Sequence, residues 1–147
     1  MKVGGSANPD LVPVMRRRIG NDDVRIVLGA VSVVDDDGER ARAVARREVA
    51  MYLAVVAELD PTVSLDPELL ARMRELVAAG DYGAGALIPD DLLDRFAFSG
   101  TPAQVAAQAE AVFEAGAGRI DFGTPHGVPE QRGIELLCTQ VLPRLRS

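Results

Sequence analysis

The feature that most constrains the fold lies near the C-terminus, where a short apolar segment runs directly into a glycine-rich turn. This stretch reads RIDFGTPHG over residues 119–127 and carries the only histidine of the chain, His126. An apolar run followed by Gly, Thr and Pro is typical of a buried strand that ends in a loop. Small residues at a strand end let backbone approach a ligand, and hydroxyl and imidazole groups can hydrogen-bond it. The stretch therefore predicts an α/β protein with a ligand-facing loop at residues 123–127.

The remaining segments predict strands that alternate with helices. Strands are expected at residues 2–5 and 24–34, because the second is rich in Val and Ile and lacks a helical charge pattern. Capping residues place helices at 66–79, after Asp66, and at 102–115, after Thr101 or Ser99. Further helices are predicted at 11–19, 39–59, 89–96 and 130–142. This order implies a parallel sheet with right-handed crossovers.

Several of these stretches together resemble one family of enzymes. They read KVGGSANP at residues 2–9, AVSVVD at 30–35, FSGTPAQV at 98–105 and GAGRIDFGTPHG at 116–127. In this order they resemble the bacterial luciferase-like family of flavin or deazaflavin oxidoreductases, in the branch named after methylenetetrahydromethanopterin reductase. The resemblance implies a (β/α)8 barrel that holds the deazaflavin coenzyme F420 or, alternatively, FMN. It also implies hydride transfer to or from a small organic substrate, of the monooxygenase or reductase type.

The chain length limits how much of such a barrel can form. A complete barrel needs roughly 250 residues, and this chain has 147. We expect a single domain over residues 1–147: a partial barrel made of its last three parallel strands with their helices. Core-type sequence directly after Met1 suggests a chain that begins inside a larger fold, and a true gene start upstream of Met1 is one further hypothesis. Exposed strand edges and an uncovered sheet face predict a homo-oligomer or a complementing chain. A non-catalytic remnant that serves as a binding or assembly module is the alternative.

Candidate ligand contacts follow from the ends of the predicted strands, where parallel α/β folds bind their ligands. The predicted cofactor-binding residues are Gly4, Gly5, Ser6, Asn8, Gly123, Thr124 and His126. The glycines leave room for a planar ring or a phosphate, and the polar side chains can hydrogen-bond it. Each also has a purely structural interpretation. The paired glycines can relieve crowding, residues 6–9 can form a turn and helix cap, and the histidine can cap a carbonyl.

Composition and the other motifs narrow the function further. A net charge of −6, with basic residues spread over helices, argues against nucleic-acid binding. No apolar run reaches the roughly 20 residues of a membrane span, so we expect a soluble cytoplasmic protein. The acidic residues 35–37 lack the ligand spacing of a calcium loop, and residues 80–85 lack the lysine of a phosphate-binding loop. No metal site is predicted, and no residue is assigned a catalytic role.

The single cysteine, Cys138, has no partner for a disulfide or for a metal site. It lies among aliphatic residues of the last predicted helix. We therefore expect it to be a buried small apolar residue rather than a reactive thiol.

Overall fold

The computed structural model describes residues 1–145, in which parallel strands are flanked by helices. The strands are β1 (Lys2–Gly4), β2 (Val27–Val34), β3 (Ala97–Gly100) and β4 (Arg119–Gly127). The helices are α1 (Leu11–Ile19), α2 (Gly38–Ala50), α3 (Leu53–Leu59), α4 (Pro67–Ala78), α5 (Asp90–Phe96), α6 (Pro102–Glu114), α7 (Glu130–Leu136) and α8 (Leu142–Leu145). A 3-10 turn spans Tyr82–Leu87, and a π-helical turn spans Leu137–Val141. The predicted α/β class with a parallel sheet is confirmed.

Strand β2 is the centre of the sheet. On one side it pairs with β4 along its length, with an irregularity between Val31 and Val33. On the other side β1 pairs with its first half, through the Gly4–Gly29 pair, and β3 pairs with its second half. Within residues 1–145, no strand lies beside the outer edges of β1 and β4. The sheet is therefore open at both edges.

Local capping begins several of the helices. The Asp66 side chain accepts a hydrogen bond from the backbone N–H of Glu68 at the start of α4. At the start of α6, Thr101 and Gln104 form a reciprocal capping box, in which each side chain accepts from the backbone N–H of the other. The predicted caps at Asp66 and Thr101 are both confirmed. These signals lie within four residues of each helix start, which is why the sequence alone reveals them.

The buried apolar residues form two cores. One lies between the sheet and α1, α6 and α7, and there the rings of Phe98 and Phe122 pack edge to face with centroids 5.3 Å apart. The other is enclosed by α2, α3, α4 and α5. Its larger buried members are Val49, Leu53, Met73, Leu93 and Phe96. Together the cores cover one face of the sheet and the end of β2.

The two faces of the sheet differ because successive residues of a strand point to opposite sides. The row formed by Val3, Leu28 and Ile120 packs into the first core. The next row, Gly4, Gly29 and Asp121, points away from that core and lines an open cleft. The cleft face is the one on which a ligand can lie.

The structure corrects the predicted helix over residues 39–59. The chain leaves helical geometry at Tyr52, where φ is −131° and ψ is −3°, and this residue separates α2 from α3. The break redirects α3 so that Leu53 and Ala57 enter the second core while Val56 reaches the end of β1. Residues 50–53 read AMYL, with no glycine or proline to break a helix, so the sequence carries no sign of the break.

Two further corrections concern strands. Strand β3 was not predicted, because four residues between two helices carry too short a pattern to identify a strand. Strand β4 continues through residues 123–127, which were predicted to be a loop, and it keeps its pairing with β2 to Val34 and Gly127. Pairing with the longer β2 extends the strand past its apolar segment.

Cys138 was predicted to be buried and is exposed. It lies in the π-helical turn, where Leu137 and Val141 take the positions that face the first core. The wider turn changes which residues face inward compared with the regular helix that the sequence predicts.

Candidate functional site

A cleft of about 460 Å³ opens on the uncovered face of the sheet. Its floor is formed by β1, β2 and β4, and one wall is formed by Tyr52 and Val56 at the start of α3. A volume of this size lies in the range of about 300–1,000 Å³ that is usual for pockets that hold small molecules or cofactors. Four of the predicted site residues line this cleft: Gly4, Gly5, Gly123 and Thr124.

The floor of the cleft is largely bare backbone. Gly4 lies opposite Gly29 in the sheet, and Gly123 lies opposite Val31. A Cβ at Gly123 would be 2.8 Å from the carbonyl oxygen of Ala30, so a side chain there would have to displace the sheet. A Cβ at Gly4 would enter open space. The glycines therefore leave a flat surface, which suits a planar ring lying against backbone.

Gly5 allows α3 to form the wall. Its φ is +75°, in the left-handed region, and a Cβ there would lie 2.9 Å from Cγ1 of Val56. A larger residue at this position would be strained and would push α3 away from β1. Gly4 thus keeps the floor of the cleft open, and Gly5 lets α3 lie close to β1. The pair therefore both relieves crowding and shapes the site.

Tyr52 was not predicted as a site residue. Its ring lines the cleft, and its hydroxyl oxygen is buried with no hydrogen-bond partner among the described residues. Burial and, to a smaller extent, the negative charge of Glu48 raise the pKa of Tyr52 to about 12. The side chain is therefore a neutral hydroxyl at neutral pH, able to donate a hydrogen bond. Tyr52 lies at the break between α2 and α3, and no local pattern in the sequence marks that break.

A charged cluster lies at the amino end of the cleft. Asp121 accepts from Lys2 through Nζ at 2.8 Å and from Arg119 through Nε at 2.7 Å. The side-chain hydrogen bond from Lys2, and then that from Arg119, lower the pKa of the Asp121 carboxyl. Two cations share one carboxylate, so this end of the cleft has an excess of positive charge. The three residues come from opposite ends of the chain, and sequence reasoning missed them.

Ser6 and Asn8 lie outside the cleft, although both were predicted to contact the cofactor. Both are buried, and the Asn8 Nδ2 donates to Oδ2 of Asp60 at 3.0 Å and to Oγ1 of Thr62 at 2.7 Å. The Ser6 hydroxyl accepts from the backbone N–H of Asn8 at 3.2 Å. These bonds fasten the end of β1 to the turn after α3. The geometry favours the structural interpretation of this segment.

His126 is also engaged by its own neighbours. Its Nε2 lies 2.9 Å from the carbonyl oxygen of Phe122, and its Nδ1 lies 3.2 Å from Oε1 of Glu130. Its φ is +71°, which is uncommon for a residue other than glycine. It is not among the residues that line the cleft. The imidazole satisfies a carbonyl of β4, as the structural interpretation predicts, and holds the strand end against α7.

Among the residues that the structure describes, no three His, Cys, Asp or Glu side chains converge to hold a metal ion. None of the helices in residues 1–145 has the length and apolar content needed to cross a membrane.

Comparison with known proteins places these features in a family context. The model of the luciferase-like monooxygenase family matches residues 8–119. The 5,10-methylenetetrahydromethanopterin reductase of Archaeoglobus fulgidus is 31% identical over 122 residues, which cover 77% of this chain and 36% of that protein. The enzyme of the same name from Methanolobus tindarius is 24% identical over 131 residues, which cover 86% of this chain and 40% of that protein.

A solved structure matches the fold along nearly the whole chain. It is the coenzyme F420 dependent tetrahydromethanopterin reductase from Methanopyrus kandleri, with a TM-score of 0.77 and 24% sequence identity. The match covers 97% of this chain and 44% of that chain. The predicted partial barrel is confirmed: the chain has the parallel strands and flanking helices of part of a (β/α)8 barrel. It spans less than half the length of each of these relatives.

Proposed function

This chain belongs to the luciferase-like monooxygenase family, and on that premise we propose that it is the C-terminal portion of an F420-dependent oxidoreductase barrel. The observation that carries the proposal is the cleft on the uncovered sheet face, with its bare glycine floor and the wall made by α3. The family relative of known structure is F420 dependent by name, which supports F420 over the alternative, FMN.

The residues at the cleft fit a flat, polar cofactor. We assign Gly4, Gly5 and Gly123 to backbone contact with the ring, and Thr124 to a hydrogen bond from its exposed hydroxyl. F420, when bound, would supply the hydride chemistry, and FMN would supply it in the alternative case. The chain itself binds and orients the cofactor, so no catalytic residue is assigned to it.

The residues outside the cleft have supporting roles in this proposal. Asn8 and Ser6 hold the end of β1 in place, and His126 holds the end of β4. Because these two strand ends carry the floor glycines, these polar residues position the cofactor surface without contacting the ligand. The substrate is a small organic molecule, and its reaction is a reduction or a monooxygenation in a cytoplasmic protein.

The open sheet implies that other strands complete the barrel. We propose a complementing chain, or further copies of this chain, pairing with the free edges of β1 and β4. The cluster of Lys2, Arg119 and Asp121 favours the complementing chain. A second copy packed face to face would bring the same positive excess against itself, whereas a partner with an inward carboxylate would neutralise it.

A second candidate function is a non-catalytic binding or assembly module. The observation that favours it is the coverage of only 36–44% of the relatives. Such a module would fold and associate but would bind neither F420 nor FMN. The same titration therefore separates the two candidates.

The test is titration of the purified chain with F420 and, separately, with FMN, followed by the fluorescence of the ring. We expect saturable binding with a dissociation constant of roughly micromolar size. The key variant is Gly4→Leu, because a side chain there enters the cleft from a strand position with no strain. We expect G4L to weaken binding by roughly tenfold or more while the melting temperature is maintained.

The matched control is Gly4→Ala, which adds one carbon and leaves most of the cleft open. Wild-type affinity in G4L would show that the ligand does not lie on the glycine floor. An absence of wild-type binding to either compound would favour the non-catalytic module.

A further inference from the structure

Two hydroxyl groups in the described part of the chain are buried without a hydrogen-bond partner: those of Tyr52 and Ser99. A buried hydroxyl without a partner is destabilising, because it has lost its bonds to water and gained none in exchange. An unpaired buried group in a native protein can serve a function, and recognition of a bound molecule is one such function. The two hydroxyls differ in their surroundings, and that difference indicates which one serves the site.

Tyr52 lies at the cleft, whereas Ser99 does not. The Tyr52 ring lines the cleft, and its Cε2 atom is 3.8 Å from the position that a Cβ on Gly5 would take. Ser99 is fully buried in β3, opposite Val33, and is not among the residues that line the cleft. Only the Tyr52 hydroxyl can therefore find its partner in a molecule bound there.

The backbone at Tyr52 is consistent with such a role. The residue stands between α2 and α3 with non-helical dihedral angles, so its side chain is not fixed in a regular helical row. Rotation about χ1 carries the phenolic oxygen through several ångströms, whereas rotation about χ2 leaves it in place because the oxygen lies on that axis. The buried hydroxyl can thus turn toward the cleft when a hydrogen-bond acceptor enters it.

We propose that Tyr52 is a recognition residue of the cleft, and that its hydroxyl donates a hydrogen bond to a carbonyl or anionic oxygen of the bound cofactor. The inference rests on the proposed cofactor site and adds a residue and a direction of hydrogen bonding to it. It also specifies the ligand chemistry, since an acceptor oxygen must lie beside the wall formed by α3. The raised pKa of Tyr52 keeps the hydroxyl protonated through the neutral range, as a donor requires.

The experiment compares Tyr52→Phe with Ser99→Ala in the full chain. Each variant removes one unpaired buried hydroxyl and keeps the surrounding packing nearly intact. We expect both to raise the melting temperature in the absence of ligand. We expect only Y52F to weaken the binding of F420, by roughly tenfold, as the loss of one buried hydrogen bond predicts. S99A should bind F420 like the wild type.

The outcomes separate this inference from the proposed function. Equal F420 affinity in the wild type and Y52F would overturn the recognition role and leave the cofactor site standing. No binding by the wild type would overturn the cofactor site and the inference with it. A lower melting temperature for Y52F would show that the hydroxyl has a partner within the protein, and this too would overturn the inference.

Discussion

A single carboxylate joins the amino ends of β1 and β4. Asp121 faces the cleft and accepts hydrogen bonds from Lys2 on the far edge strand and from Arg119 on its own strand. Lys2 reaches across β2, whose contribution to this row is Gly29. A Cβ at Gly29 would already touch both side chains, at 3.4 Å from Cβ of Asp121 and 3.5 Å from Cε of Lys2, so a larger residue on β2 would stand between the lysine and the aspartate.

The depressed pKa of Asp121 makes a pH-dependent prediction. A carboxyl whose pKa in the folded state lies below its ordinary value of 3.8 contributes stability above that pH, and loses it as pH falls through the lower folded value. We expect Asp121→Asn to lower the melting temperature at pH 7, with a difference from the wild type that shrinks below about pH 4. Thermal melts of both proteins across this range provide the measurement. A difference that stays constant with pH would show that the charge of Asp121 does not contribute.

The limits of sequence reasoning are visible at individual residues. The glycines at the ends of β1 and β4 could be placed near a ligand, because strand ends of a parallel sheet share one edge. Asn8 and His126 are at the same ends, but their partners decide which way they face. The partners of Asn8 lie far along the chain, at Asp60 and Thr62, and a one-dimensional pattern does not contain that contact. Tyr52 was missed for the same reason.

At the scale of elements, local signals determined what could be predicted. Helices α1, α4 and α6 were predicted with close boundaries, because apolar periodicity and caps are properties of neighbouring residues. The break between α2 and α3, the strand β3 and the extension of β4 all depend on contacts with distant segments. Strand β4 continues because β2 pairs with it, and α3 turns because Gly5 admits Val56.

The capping box of α6 allows a direct test of one local signal. Thr101→Ala removes the hydroxyl that accepts from the backbone N–H of Gln104 at 3.3 Å. We expect a loss of about 1 kcal/mol in the free energy of unfolding, the usual size for an N-cap residue. Urea denaturation followed by circular dichroism measures it.

The matched control for this test is Thr139→Ala. The Thr139 hydroxyl is exposed and donates to the carbonyl of Glu135 one turn earlier, without capping a helix. Its loss should change stability by less than about 0.5 kcal/mol. Equal effects of the two substitutions would mean that the capping box adds nothing specific to α6.

At the scale of the molecule, residues 1–145 leave part of the sheet unpaired and uncovered. The outer edges of β1 and β4 are unpaired in the part of the chain that the structure describes, and the cleft face is open between them. The exposed apolar side chains of Met51, at the end of α2, and of Val55 and Leu59, in α3, add to this surface. Unpaired strand edges and exposed apolar side chains both favour association with other polypeptide.

In the absence of a complementing chain, we expect the purified chain to self-associate through these edges and apolar side chains, despite the positive charge on its open face. Size-exclusion chromatography with light scattering should give a mass above that of the monomer, or progressive loss to aggregation. The discriminating variant is Gly4→Lys, which places a third positive charge on the open face beside Lys2 and Arg119 in space that is empty in the monomer. If association covers this face, G4K should shift the protein toward monomer while G4A does not, since burying an unpaired lysine is costly. A stable wild-type monomer at high concentration would contradict the expectation, and it would mean that the open sheet is tolerated in water without a partner.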